Sequence, residues 1–386
     1  MIPVIIGLLA AGYLLYNSLT AVRFEADASG KYSWVDGNEN GNIDLGKQED
    51  FLLSENGIGE YKMVTARETL AKIDWSGRAI WFLLLAICCL VIRVSGYVIR
   101  LRVLTEKVLS WRQSLDVVLL WEFASALTPS VVGGSGVAIY FLNREGIKLG
   151  KSTAIVMVTA MMDEFFYIFM VPVVMLIVGS QEMFPPDWRQ TLLGFEFTAE
   201  GFFWVGYIFT FLILCTLIFA VFIRPRAFRY LLLKIFSLPI LKKWRYRIIE
   251  WGNDLMLTSK ELKTKPLSYW LKGIGATFAS WTARFILLNC LIMMVVDIAD
   301  HLLVYGKQLA MWMIMLISPT PGGSGLAEFA FLKFFGGSIV PIALVGLLAI
   351  LWRLLTYFPY LFAGVVVLPR WLKRTSLERK QAEALD

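Results

Sequence analysis

Seven ionisable side chains lie inside otherwise apolar runs of this chain: Arg93, Glu122, Asp163, Glu164, Arg284, Glu328 and Arg353. A charge at the centre of a bilayer costs about 2.5–3.5 kcal/mol on insertion scales, so such residues pair, face a wet cavity or act on a substrate. Arginines offer fixed forks of donors to an anionic headgroup, and carboxylates beside them balance charge or carry a proton. The competing role is structural: a buried ion pair that fixes one helix to another. Asp163 and Arg353 hold corresponding positions in the two halves of the chain, which makes them a candidate pair near the middle of the bilayer.

Two glycine-rich stretches add to this set. Thr128-Pro129-Ser130-Val131-Val132-Gly133-Gly134-Ser135-Gly136 recurs as Ser318-Pro319-Thr320-Pro321-Gly322-Gly323-Ser324-Gly325. Proline and glycine in an apolar run predict a helix break, and freed backbone groups are tolerated only inside protein or along a polar cavity. Helices that restart after each GGSG would point their N-termini, with free N–H groups, into the bilayer. On this reading Ser135 and Ser324 cap those helices or donate to a ligand. Gly133, Gly134, Gly322 and Gly323, with Pro321, let a phosphate approach the backbone. The pattern predicts a substrate site for an anion or polar headgroup. It does not say which.

The elements that must position these residues are membrane helices. Of 386 residues 58% are hydrophobic and only 17% charged, against about a quarter charged in soluble domains. The apolar segments are long and continuous, not alternating, which excludes a β-barrel. The fold class expected is an all-α polytopic membrane protein with an inverted-topology repeat and two re-entrant helical hairpins. An apolar run at Ile2 to Ala21 reads as a retained signal anchor, giving an N-terminal transmembrane helix over 1–22. Further spans are predicted at Ala79–Ile99, Ser152–Gly179, Gly201–Ile223, Leu267–Ile298 and Ile339–Leu368.

Loop charges orient them. Residues 100–113 hold four basic and one acidic residue, and 143–151 three and one, so both flanks of a hairpin at 114–142 read as cytoplasmic. Residues 180–200 hold four acidic residues and Arg189 alone, and read as external. Residues 224–266 carry 11 basic and three acidic residues, and the tail 370–386 five and three; both read as cytoplasmic. A second hairpin at 307–335 then enters from the opposite face. The organisation expected is an extracytoplasmic insert at 23–77, a first repeat unit at 78–200 and a helix at 201–223. A basic amphipathic segment at 224–266, a second unit at 267–369 and the tail follow. Counterpart residues lie about 190 positions apart, as in transporters built from inverted repeats with the site at their broken helices.

Asp36, Asn38, Asn40 and Asp44 match a calcium loop with glycine at its sixth position, but Lys47 stands where a bidentate glutamate is needed. A weak Ca2+ site at residues 36–49 and a metal-free turn are the two readings; no other cofactor is implied. The segment 224–266 interleaves aromatic, aliphatic and basic residues, which suits an anionic lipid surface and not nucleic acid. Cys88, Cys89, Cys215 and Cys290 read as small buried hydrophobes, and His301, the single histidine, as an interfacial polar residue.

Together, Pro129, Gly133, Gly134, Leu142, Gly146, Ser152 and Asp163, followed by Ser318-Pro319-Thr320-Pro321-Gly322-Gly323, Glu328 and Arg353, resemble the lysylphosphatidylglycerol synthase transmembrane region over roughly 79–369. This is the flippase-like membrane domain of multiple peptide resistance proteins and their stand-alone relatives. The resemblance implies movement of a lipid between leaflets of a bacterial inner membrane, in that family an aminoacylated phosphatidylglycerol. It also implies no enzyme activity in a chain without the cytosolic aminoacyl-transferase domain. The partner expected is therefore a membrane phospholipid or a polyprenyl-phosphate lipid, with an oligomer allowed. Two rivals stand beside it: a secondary transporter for a small anionic solute, and an accessory membrane protein in lipid-linked glycan synthesis.

Overall fold

The computed structural model describes residues 22–37, 43, 48–54, 56–65, 76–128, 130–185, 188–192, 195–235, 245–316 and 326–383. The expected N-terminal helix, calcium-loop residues Asn38, Asn40 and Asp44, and Pro321, Gly322, Gly323 and Ser324 lie outside them. The fold is mostly helical, and among the described residues five stretches are long and apolar enough to span a bilayer: Gly77–Leu104, Leu149–Val178, Ala199–Ile223, Leu267–Met293 and Leu344–Glu378. The chain is a multi-pass membrane protein. Large apolar side chains on the outer faces of these helices stay exposed, among them Trp81, Leu84 and Val91, as lipid contact requires.

The insert before the first described span carries regular structure of its own. It folds as an antiparallel sheet of β1 (Val22–Gly30), β2 (Tyr32–Trp34), β3 (Phe51–Leu53) and β4 (Gly59–Thr65), in the order β1-β4-β2-β3. Phe24, Phe51 and Val64 are buried within it, and the rings of Phe24 and Phe51 stack at 4.1 Å. A few alternating apolar residues thus build a small core that overall polarity concealed. The all-α expectation is corrected accordingly.

α1 (Gly77–Leu104) runs five residues past the predicted end at Ile99. α2 (Trp111–Leu127) begins with a capping box, in which Ser110 and Gln113 satisfy each other's backbone N–H groups. It stops at Thr128, whose backbone is extended (φ −103°, ψ 141°). Thr128 precedes Pro129, and a residue before proline is pushed out of the helical region. α3 (Ser130–Arg144) then packs back along α2.

Among the described residues the break therefore falls at Thr128, and Gly133–Gly136 lie within α3. Ser135 is a mid-helix residue and not an N-cap, which corrects the expectation for the first motif. Gly134 acts by size: a side-chain carbon there would collide with Ser125 of α2, so its absence lets the two legs touch.

α4 (Leu149–Val178), the single turn α5 (Ser180–Met183) and a hairpin of β5 (Arg189–Leu192) and β6 (Phe195–Thr198) follow. α6 (Ala199–Ile218) continues into a π-helical turn at Phe219–Ile223. The basic segment forms α7 (Pro225–Ile235) and α8 (Arg245–Lys263), and α8 packs on α4.

α9 (Leu267–Met293) lies along α1 in the most extensive helix contact of the fold. Their approach is set by Gly96, where a side-chain carbon would come within 2.8 Å of the Ala276 carbonyl. α10 (His301–Met315), capped by Asp300, and α11 (Leu326–Phe335) come next. The last predicted span is two helices, α12 (Ile342–Thr356) and α13 (Phe358–Glu383), separated at Tyr357. Pro359 explains this: it has no N–H to continue the ladder of α12, but in the first turn of α13 none is needed.

Candidate functional site

Three arginines on two helices define the centre of the molecule. Arg93 and Arg100 are two turns apart on α1, with Tyr97 between them, so all three share one face. Arg93 and Arg100 are buried although they are charged. Each is met by a carboxylate. Arg93 Nη2 donates to Glu122 Oε1 of α2 at 2.9 Å and Nε to the Tyr360 hydroxyl of α13 at 2.9 Å. Its guanidinium also lies over the rings of Tyr97 and Trp281, 4.8 and 5.1 Å from their centroids. Arg100 grips Asp163 of α4 with both amines, at 2.5 and 3.2 Å, and donates to Thr277 Oγ1 at 3.1 Å. Asp163 accepts a further bond from Trp281 Nε1 at 2.6 Å.

The partner of Asp163 is therefore Arg100 and not Arg353. Arg353 of α12 donates instead to Glu328 of α11 at 3.0 Å. The expected Asp163–Arg353 pair is corrected, and the reason is local. The helix of Arg100 continues beyond the predicted boundary, so a residue counted among the loop charges stands inside the protein. Its signal was present in the sequence, seven positions after Arg93 on the same helical face.

Arg284 of α9 is different. Its guanidinium lies over Trp312 at 4.4 Å and Trp281 at 5.6 Å. Among the described residues no carboxylate forms an ion pair with it. A desolvated guanidinium gains about 2 kcal/mol from such faces, which steadies the side chain while its donors stay available.

These residues surround one cavity of about 270 Å³. Arg93, Glu122, Ser135, Asp163, Glu164, Arg284 and Arg353 all line it, so seven of the residues singled out in the sequence meet in one place. Glu328 joins through Arg353, while Gly134 acts at the contact of α2 with α3. Arg100, counted among the loop charges, also lines it, as do Tyr97, Trp281, Trp312 and Tyr360, missed because aromatic residues in a membrane chain are too common to stand out. Three buried polar atoms on its α4 wall have no hydrogen-bond partner among the described residues: Thr159 Oγ1, Glu164 Oε2 and the Tyr167 hydroxyl. Buried polar groups are nearly always satisfied, so orphans that share a cavity mark a place where water or a ligand completes them.

Residues 62–364 match the protein family described as the lysylphosphatidylglycerol synthase TM region. The chain belongs to this family. The match covers the helices that line the cavity as far as residue 364, in the second turn of α13. A protein of Archaeoglobus fulgidus described as a UPF0104 membrane protein is 26% identical over 326 residues, covering 77% of this chain and 90% of its own length. No solved structure matches the chain. No group of three or more metal-ligating side chains occurs among the described residues; of the calcium-loop residues only Asp36 is included there.

Proposed function

We propose that this protein moves an anionic or aminoacylated phospholipid, or a lipid-linked carrier, between leaflets, with the cavity as its headgroup site. The observation that carries the reading is Arg284, a half-buried cation lining the cavity, held by two tryptophans and ion-paired to no described carboxylate. A phosphate oxygen supplies the missing acceptor, and charge-assisted bonds of this kind are strong in a low dielectric. Family membership favours a lipid over a free solute.

Element order supports an inverted repeat. A long helix, two short ones and a long or broken one run from α1 to α4 and again from α9 to α13, counterparts lying about 190 residues apart. At about 1.5 Å per residue the 17 residues of α2 and the 15 of α10 fall short of the ~30 Å hydrocarbon core. Short paired legs suit re-entrant hairpins, whose tips would meet at the cavity and whose rocking would expose it to either side in turn.

The test is leaflet movement of a labelled phospholipid in proteoliposomes containing the full chain, alongside uptake of labelled phosphate. Lipid movement that Arg284→Ala abolishes supports the reading. Phosphate uptake without lipid movement would replace it with the solute transporter.

A further inference from the structure

The charges of the cavity do not cancel one by one. Arg93 is matched by Glu122, Arg100 by Asp163 and Arg353 by Glu328. Arg284 and Glu164 are left over, and no described ion pair joins them. Glu164 is only 5% exposed, and its Oε2 has no hydrogen-bond partner among the described residues. Its immediate charged neighbour is Asp163, already held by Arg100 and Trp281.

We propose that Glu164 takes up one proton from water whenever a monoanionic headgroup binds at Arg284, so that anion and proton are carried together. The proposal rests on the reading of the cavity as an anionic headgroup site. With Glu164 ionised, the empty cavity is neutral and a bound monoanion leaves it with one uncompensated negative charge. With Glu164 protonated, the empty cavity carries +1 and the loaded cavity is neutral. A low-dielectric site penalises the uncompensated charge heavily, so each ligand favours the other. By linkage, the proton must then strengthen anion binding by the same factor.

The geometry provides a connection. The Tyr167 hydroxyl, one turn beyond Glu164 and itself without a described partner, interacts electrostatically with both Arg284 and Glu164. It can bridge the acid to a phosphate oxygen. Other groups are poor carriers of this proton. Glu122, Asp163 and Glu328 each hold an arginine, and Tyr97 and Tyr360 are engaged by Arg93. Among the elements packed on α4, Lys307 of α10 answers to Glu182 of α5, and Tyr207 of α6 is bonded to the Ile168 carbonyl. Asp254 of α8 lies against Gly150, four turns away from Glu164.

The probe is short-chain phosphatidylglycerol added to the purified full chain, with binding read from tryptophan fluorescence, since Trp281 and Trp312 flank Arg284. The wild type is expected to bind more tightly as pH falls, by up to about tenfold per pH unit. Glu164→Gln should bind at the acid-pH affinity of the wild type at every pH. A second readout needs no variant: in the pH range where affinity changes about tenfold per pH unit, a pH indicator in weak buffer should record about one proton taken up per lipid bound. Binding with no proton uptake, or with the wild-type pH slope retained in Glu164→Gln, overturns the coupling alone. No binding by the wild type at any pH overturns the headgroup site itself, and the coupling with it.

Discussion

Arg93 and Arg284 occupy matching places on the two helices that pack most closely, yet their surroundings are unlike. Arg93 is saturated: a carboxylate, two phenols and aromatic faces use its donors. Arg284 has the faces of Trp281 and Trp312 and, among the described residues, no ion-paired carboxylate. The same residue type thus serves as a brace on one side of the cavity and as an open donor on the other. A buried arginine is not by itself a binding residue; what matters is how much of its hydrogen-bonding capacity the protein has already used.

The most severe test of that contrast compares Arg93→Ala with Arg284→Ala. The first leaves Glu122 without its partner, and breaking a buried pair in this way costs about 3–5 kcal/mol. It should lower the unfolding midpoint in detergent sharply. Arg284→Ala should leave the midpoint close to wild type while abolishing headgroup binding. Equal destabilisation by both would erase the distinction.

A charge exchange sharpens it. Asp163→Asn should destabilise and inactivate the protein by stranding Arg100. Arg100→Asp combined with Asp163→Arg should recover part of the stability, whereas Arg353→Asp combined with Asp163→Arg should recover none. Recovery in the second combination alone would restore the pairing that the halves' symmetry suggests.

The packing that holds the two helices together gives a smaller effect. Gly96→Ala must shift α1 away from Ala276 and Ser280, at about 1–3 kcal/mol for overpacking. Its consequence for Arg93 is direct, because Ser280 Oγ donates to the Arg93 carbonyl at 2.8 Å. Calorimetry or thermal unfolding should show the loss, with binding at Arg284 less affected than stability.

The weakest effect is expected far from the cavity, in the turn after α1. There Glu106 accepts from Lys265 at 2.6 Å and Lys151 at 3.2 Å. The Lys265 ammonium is the main cause that holds its carboxyl down at about 2, below the ~4.3 of an unperturbed glutamate. A depressed carboxyl contributes stability that is present above the unfolded value and lost as pH falls through the folded one. The loss should therefore run from about pH 4 to 2, and should be small because the side chain is 38% exposed. Glu106→Gln should flatten this part of the unfolding-midpoint curve and leave the neutral region nearly unchanged.

Much of this architecture could be read from hydropathy, because 20 or more apolar residues in a row have few alternatives to a membrane helix. The cavity was legible through its cost: Arg93, Glu122, Asp163, Glu164, Arg284 and Arg353 were conspicuous because charges inside apolar runs demand a reason. What escaped was pairing. Arg100 sits at a helix end where charge is ordinary, so nothing local distinguishes a buried arginine from a solvated one. The sheet escaped because Phe24, Phe51 and Val64 are few among polar neighbours, and their meeting depends on strands far apart in sequence. Neither proline nor glycine alone marks a break: Pro359 follows the interruption at Tyr357, but Pro172 and Pro369 lie inside helices. Gly133 and Gly134 continue a helix, and Gly134 spends its small size on close packing.

One junction has a practical consequence. Glu145, just after α3, is bonded to Gln113 at the start of α2 and, on α13, to Trp371 Nε1 at 2.6 Å and to Arg374. The C-terminal helix is thereby riveted to the base of the first pair of short helices. Any tilt of that pair is passed along a rigid rod to its far end. A dye at residue 377, exposed beyond the junction, would behave as the needle of a gauge, letting motion at the core be followed without disturbing the cavity.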